Sequence, residues 1–94
     1  MLSLSPLDLS KIDKKNLDRE IARIGMIAEL DATSLYEQLS DMTDNKDLQK
    51  VLLDIAKEEK THTGEFQALL LRMDKEQERE NMAGEKEVEE LTGH

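Results

Sequence analysis

Apolar residues recur every three or four positions along the first half of the chain, as in an α-helix that packs one face against a core. This stripe begins at Leu17 and ends at Met42. Asp13 precedes it and offers a side-chain oxygen to the first unpaired backbone amides. We therefore predict a helix from about Lys14 to Met42. The stripe contains Leu17, Ile21, Ile24, Ala28, Asp31, Leu35, Gln38 and Met42, and Ile27, Leu30 and Leu39 widen it.

A second stripe of the same period predicts a second helix, from about Lys46 to Met73. The intervening residues 43–46, TDNK, are capping and turn residues without an apolar anchor. Each helix would be about 40 Å long, and a turn this short forces the two to lie antiparallel. The second stripe contains Leu48, Leu52, Ile55, Glu59, His62, Phe66, Leu69 and Met73.

The two ends of the chain differ from this predicted hairpin. Residues 1–13 are rich in Ser and Leu, contain the single proline and show no helical period, so we expect an N-terminal arm. Residues 14–73 form the predicted helical hairpin. Residues 74–94 begin with a capping-box pattern, DKEQ, and predict an acidic C-terminal helix or tail that Gly84 interrupts. This tail is either a solvated extension or a contact surface between subunits.

Composition narrows the range of partners. The 94 residues have a formal net charge of −9, no Cys, and only Tyr36 and Phe66 as aromatic residues. Nucleic acid is a poor partner for such a surface, and no apolar run reaches the roughly 20 residues of a membrane span. A short chain without disulfides buries a small core, so a partner chain is expected. Lack of Cys is consistent with a reducing, cytoplasmic compartment.

Three polar residues lie where a helical bundle should be apolar. Glu59 and His62 interrupt the second stripe at a spacing that places them side by side. Glu29 lies beside the first stripe, with Gly25 one turn before it and Ala32 and Thr33 one turn after it. These small neighbours are expected to leave space around the carboxylate. Residues 29 and 59 are equally far from the turn at residue 44, so the two carboxylates should be level. The alternative is a core histidine paired with Glu59, and a solvated Glu29.

One Glu opposite a Glu-x-x-His motif is half of the ligand set of di-iron and di-manganese carboxylate bundles. Oxygen and imidazole ligands without thiolates suit these metals. Because one hairpin supplies only half a site, two chains must pair into a four-helix bundle with the metals at their interface. The predicted fold is therefore all-α, a hairpin with a short C-terminal helix that dimerises.

The run Ile27–Glu37, IAELDATSLYE, and the run Glu58–His62, EEKTH, resemble the encapsulated ferritin family. The resemblance extends over nearly the whole chain, from about Ile12 to Gly93. It implies a ferroxidase that oxidises Fe²⁺ to Fe³⁺ at a di-iron centre between two subunits. It also implies a ring of dimers, expected to be a decamer, inside an encapsulin shell that stores or detoxifies iron.

By the same resemblance Glu29, Glu59 and His62 are the expected iron ligands. Tyr36 is expected beside the centre with a catalytic role, and Asp31 on the route by which iron reaches it. Ala28 and Leu35 depart from the family pattern, because some members have an acid and a Trp there. The segment Glu87–Gly93 resembles the stretch that leads into the shell domain of fused members.

Other readings of the same residues remain open. A rubrerythrin-like peroxidase would use the same bundle, although the chain has no Cys for a rubredoxin-type site. An acidic helical module that only oligomerises is the non-enzymatic alternative. Calcium or other divalent ions are also expected at acidic surface sites.

Overall fold

The protein is a helical hairpin followed by a third helix. The computed structural model describes Ser10 and residues 13–94, in which a 3₁₀ turn, Lys14–Asn16, leads into α1, Leu17–Met42. The chain then forms α2, Lys46–Met73, and α3, Lys75–Thr92. The all-α prediction is confirmed. The predicted arm, residues 1–13, lies outside the described residues except for Ser10 and Asp13.

The start of α1 differs from the prediction. Residues 14–16 form a 3₁₀ turn because the Asn16 N–H donates to the Asp13 carbonyl, 2.8 Å away. The Asp13 side chain makes no capping hydrogen bond, so the predicted side-chain cap is wrong. The start of α2 follows the usual pattern, since the Asn45 side-chain oxygen accepts the Leu48 N–H at 3.0 Å.

α3 is continuous through Gly84, so the predicted interruption is wrong. One glycine in an exposed helix costs only about 1 kcal/mol relative to alanine, which is too little to break a well-capped helix. The Asp74 carboxylate caps α3 by accepting the Gln77 N–H at 3.1 Å, and Gly93 ends it in the left-handed conformation. Only half of the predicted capping box forms, because the Asp74 N–H donates to the Leu70 carbonyl at 2.8 Å instead of to the Gln77 side chain, which donates to Asn81 at 2.7 Å.

The layer between α1 and α2 contains small and polar residues together with Leu70 and the ring of Phe66. Other large apolar side chains are exposed, among them Leu30 at 54% and Leu69 at 49%. The hairpin therefore uses its small residues for close helix contact and leaves most of the predicted stripe accessible. The helical period predicted a core-facing side without saying which neighbour covers it, and no residue of either stripe is fully buried within the single chain. The buried residues of the two helices are Ala22, Thr33, Ser40, Ala56 and Leu70.

Among the residues that the structure describes, no helix is both long and apolar enough to cross a membrane.

Candidate metal centre

Two carboxylates and one imidazole meet halfway along the hairpin. Glu59 and His62 lie one turn apart on α2, and Glu29 reaches them from the middle of α1. The His62 Nδ1 atom lies 3.5 Å from Glu29 Oε2 and 3.5 Å from Glu59 Oε2. One possible ligand atom of each residue lies within 4.8 Å of the others. The structure thus brings together Glu29 and Glu59, which the sequence predicted to be level, and His62, which it predicted to lie beside Glu59.

The three side chains differ in their access to solvent. The side chains of Glu29 and Glu59 are 20% and 19% exposed, whereas that of His62 is 45% exposed. The carboxylates therefore lie in the cleft between the helices, and the imidazole lies at its rim. A ligand that reaches all three would approach from the side of the hairpin on which His62 lies.

No described residue donates a hydrogen bond to the buried oxygen Glu29 Oε2. The 3.5 Å separation from His62 Nδ1 exceeds the roughly 2.7–2.9 Å of a charge-assisted hydrogen bond. A buried carboxylate oxygen without a donor is costly, and a cation is the natural way to offset that cost. This arrangement does not match the alternative in which Glu29 is a solvated carboxylate.

The backbone beside each carboxylate is held by a threonine, a feature that the sequence analysis did not identify. The Thr33 hydroxyl donates to the Glu29 carbonyl at 2.8 Å, and the Thr63 hydroxyl donates to the Glu59 carbonyl at 3.1 Å. The available signal was the spacing Glu-x-x-x-Thr, which occurs at both sites. The same bond to the carbonyl four residues earlier is made by Thr61 and Thr92, so it is an ordinary feature of threonine in these helices and does not by itself mark the site.

Gly25 does not leave free space around Glu29, as the sequence had suggested. The ring of Phe66 fills that space, and a Cβ atom on Gly25 would lie only 2.7 Å from the nearest ring carbon. Phe66 follows His62 by one turn of α2, so the ring packs in the layer next to the three polar residues.

The structure separates Asp31 from the other predicted site residues. Asp31 is outside the group of potential metal ligands, and two positions after Glu29 on a helix place it on a different side of α1. Tyr36 is partly buried, two turns after Glu29 on the same side of α1. The roles of both residues stay predictions.

A second polar cluster joins α1 to the start of α3. Arg23 contacts Asp74 Oδ2 at 2.9 Å and Glu20 Oε1 at 2.6 Å. The hydrogen bond from the Gln77 N–H holds the pKa of Asp74 below its ordinary value, partial burial opposes this effect, and the positive charges of Arg19 and Arg23 reinforce it. This cluster contains its own cations and has no need of a bound one.

The three-residue group fits iron or manganese by its chemistry. Carboxylate oxygens and an imidazole nitrogen are ligands that both metals accept. Because Glu29 Oε2 accepts no hydrogen bond from the described residues, binding a metal there would break none. In the described part of the chain, no other group of three acidic or histidine side chains meets the same distance criterion. The predicted surface calcium sites therefore receive no support.

The fold of the chain is similar to that of a solved structure. The crystal structure of the encapsulated ferritin domain from Pyrococcus furiosus has 47% sequence identity to this chain and a TM-score of 0.86, over 100% of this chain and 98% of that one. The family model described as Rubrerythrin matches residues 15–92. The chain belongs to the encapsulated ferritin family. The resemblance seen in the two sequence runs is thereby confirmed.

Two further relatives of this encapsulated ferritin have names that mention encapsulin. This chain is 48% identical over 95 residues to a ferritin-like–encapsulin shell fusion protein of Pyrococcus furiosus, and the match covers 99% of this chain and 28% of that protein. It is 39% identical over 71 residues to the encapsulin nanocompartment cargo protein EncC of Myxococcus xanthus, covering 72% of this chain and 55% of that protein. The chain thus spans about a quarter of the first relative and about half of the second.

Proposed function

We propose that this encapsulated ferritin is a ferroxidase, which oxidises Fe²⁺ to Fe³⁺ at a di-iron centre shared by two copies of the chain. The observation that carries the proposal is the buried Glu29 Oε2 atom, which lacks a hydrogen-bond donor and faces Glu59 and His62. A structural ion pair would satisfy that oxygen. A site that receives a cation must leave it available.

The number of ligands supports a shared centre. One hairpin supplies one Glu and one Glu-x-x-His motif, which is half of a di-iron ligand set. Ile21, Phe66, Leu69 and Met73 line a groove of about 260 Å³ on the hairpin. By the helical period, Phe66 and Leu69 share a side of α2 with His62. A second copy packed on that side would both cover this apolar groove and supply the other half of the ligand set.

In this proposal Glu29, Glu59 and His62 hold the iron. Hard anionic carboxylate oxygens bind Fe³⁺ more strongly than Fe²⁺, so the two glutamates favour the oxidised product. Bound iron supplies the electrons that reduce dioxygen or peroxide. Tyr36 would lie beside the centre, and Asp31 would attract Fe²⁺ toward it.

We also propose that the chain works inside an encapsulin compartment of the cytoplasm, for iron storage or detoxification. One relative is fused to an encapsulin shell, and another is named as encapsulin cargo. A pair of hairpins has no interior in which to hold a mineral, so a surrounding shell would be required. Assembly of the dimers into a ring, with ten subunits as the expected number, belongs to the same proposal.

The test is aerobic oxidation of Fe²⁺ by the wild-type chain and by Glu59→Gln and His62→Ala. We expect initial rates to fall by roughly 10-fold or more, because even residues that only support metal ligands contribute 10–100-fold. Glu58→Gln is the matched control, since Glu58 is the exposed neighbour of Glu59 and should leave the rate unchanged. Circular dichroism verifies the fold of each variant. Wild-type rates in the two site variants would refute the site assignment.

The rubrerythrin family match gives a specific reason to test peroxide as well. A peroxidase would consume hydrogen peroxide in many turnovers when a reductant is supplied, whereas a ferroxidase would stop when Fe²⁺ is exhausted. If neither activity depends on Glu59, the non-enzymatic oligomerisation module becomes the better description.

A further inference from the structure

α1 and α2 approach so closely at one level that a side chain on α1 would not fit. An ideal Cβ built on Gly25 lies 2.7, 2.8 and 2.8 Å from three carbons of the Phe66 ring. Real Cβ atoms do not approach other atoms this closely, so any residue larger than glycine at position 25 must move the ring or the helix. The ring therefore packs directly on the backbone of α1.

This contact lies one helical turn from the proposed metal centre on both helices. Gly25 precedes Glu29 by four residues on α1, and Phe66 follows His62 by four residues on α2. Because the helices are antiparallel, the two pairs occupy adjacent layers, about 6 Å apart along the hairpin axis. The distance between the helices in one layer constrains the distance in the next, since an α-helix bends little over one turn.

We propose that Gly25 and Phe66 are a positioning pair, which sets the distance between Glu29 on α1 and His62 on α2. The proposal rests on the proposed metal centre and goes beyond its ligands. The flat ring, seated on bare backbone, acts as a spacer of fixed thickness. It keeps the helices close enough for one metal site to receive ligands from both.

The other described glycines show that this role is specific to position 25. A Cβ on Gly64 or Gly84 would meet nothing within 4 Å. Gly64 lies two residues after His62 on α2, so it is nearer to a proposed ligand in sequence than Gly25, which lies four residues from Glu29. Gly64→Ala is therefore a matched control, which adds the same methyl group without a steric conflict.

A groove next to the Phe66 ring provides space into which the ring could move without any change in the distance between the helices. The groove of about 260 Å³ lined by Ile21, Leu69 and Met73 is adjacent to the Phe66 ring. If Gly25→Ala only pushes the ring into this groove, the helices keep their distance and the ligands keep theirs. The experiment must therefore measure the ligands as well as the stability.

The first measurement is Co²⁺ binding by visible absorption, with wild type, Gly25→Ala, Gly64→Ala and the double variant Gly25→Ala/Phe66→Leu. We expect Gly25→Ala to bind Co²⁺ at least about 10-fold more weakly and with a changed spectrum, as when the support of a metal ligand is lost. Gly64→Ala should bind as the wild type does. The smaller leucine should make room for the added methyl group, so the double variant should recover most of the affinity. Equal affinity and an unchanged spectrum in Gly25→Ala would overturn the positioning role.

The second measurement is a metal-free crystal structure of Gly25→Ala, which tests the pair independently of any metal binding. We expect the His62 Nδ1 to Glu29 Oε2 separation to exceed the present 3.5 Å. An unchanged separation would overturn the proposal. If wild type bound Co²⁺ in a way insensitive to Glu59→Gln, the proposed centre would fail, and this structure would still decide whether the pair sets the distance.

A variant that fails to fold is also informative. If Gly25→Ala is unfolded but the double variant is folded and binds Co²⁺ with the wild-type spectrum, the ring contact is the cause and the proposal stands. If the double variant is unfolded too, glycine is needed for another reason and the proposal falls.

Discussion

Two polar clusters lie between the helices, and they differ in whether the oxygens of a sheltered carboxylate are hydrogen-bonded. At the junction of α1 and α3, one Asp74 oxygen accepts the Gln77 N–H and the other accepts from Arg23. In the middle of the hairpin, Glu29 Oε2 accepts no hydrogen bond from the described residues. Both carboxylates are sheltered, with 10% and 20% of their side-chain surface exposed. Burial alone therefore does not distinguish the two sites.

The difference lies in what surrounds each carboxylate. Arg19 and Arg23 bring positive charge to the Asp74 cluster, which lowers the pKa of Asp74 together with the Gln77 hydrogen bond. The Glu29 cluster contains a second carboxylate, Glu59, and a histidine at 3.5 Å. In the first cluster both oxygens of Asp74 are paired within the chain, although the Nε atom of Arg19 is buried without a hydrogen-bond partner. In the second cluster it is a carboxylate oxygen that has no donor, and among the described residues no Arg or Lys lies against it, which supports the proposed metal site.

The largest expected effect is the response of the two clusters to metal. A divalent ion that binds only the folded chain stabilises it by about 4 kcal/mol when the free ion is about 1,000 times above its dissociation constant. Thermal unfolding with Co²⁺ at one fixed protein concentration measures this gain. We expect Glu29→Gln to lose most of it and Asp74→Asn to retain it. If Asp74→Asn instead abolished the stabilisation by Co²⁺, the metal would bind at the Asp74 cluster and the proposed site would be wrong.

The next prediction concerns the metal-free protein. Glu29→Leu removes a buried carboxylate oxygen that has no donor, so we expect the unfolding free energy to rise by about 1 kcal/mol or more. Urea unfolding without metal measures the change. Glu58→Leu is the exposed control and should stay within about 0.5 kcal/mol of the wild type. A marked loss of stability in Glu29→Leu would mean that Glu29 is a structural residue.

The same comparison shows which parts of the site follow from the sequence. Glu29 and Glu59 could be predicted to face each other, because an antiparallel hairpin places residues level when they are equally distant from the turn. Oε2 of Glu29 could not be predicted to lack a donor, since that depends on a separation of 3.5 Å rather than about 2.8 Å. The Phe66 ring on Gly25 also depends on the cross-helix register within one turn.

The face that the hairpin buries could not be predicted from the apolar stripe. Large apolar residues occur on both sides of the helices, and Ile27 and Leu30 border a second groove with Leu71. The two helices instead meet through small residues such as Ala22 and Ala56. The helical period predicts where a face lies but not which neighbour covers it. For α3 the capping-box pattern at residues 74–77 predicted the helix, and only the interruption at Gly84 was wrong.

A smaller effect is expected at the Asp74 cluster. Arg23→Met keeps most of the side-chain length but removes the contacts to Asp74 and Glu20. The Arg23 side chain is 38% exposed, so we expect a loss of about 0.5–1 kcal/mol in urea unfolding. Lys60→Met, which breaks the more exposed 3.0 Å pair with Glu37, should cost less. A gain of stability in Arg23→Met would show that this cluster is as strained as the metal-free centre.

The last prediction concerns how the stabilisation by Asp74 depends on pH. The pKa of Asp74 is lowered from the ordinary value of 3.8, chiefly by the Gln77 hydrogen bond. A carboxyl group whose pKa is lower in the folded than in the unfolded chain stabilises the fold above its unfolded pKa, and that contribution is lost as the pH falls through the folded pKa. The stability difference between wild type and Asp74→Asn should therefore be constant near neutral pH and shrink below about pH 4. Urea unfolding of both proteins across this range, without metal, measures the difference. Because asparagine can also cap a helix, the comparison isolates the charge from the cap. A difference that is the same at pH 3 and pH 7 would show that Asp74 acts on α3 through its hydrogen bond alone.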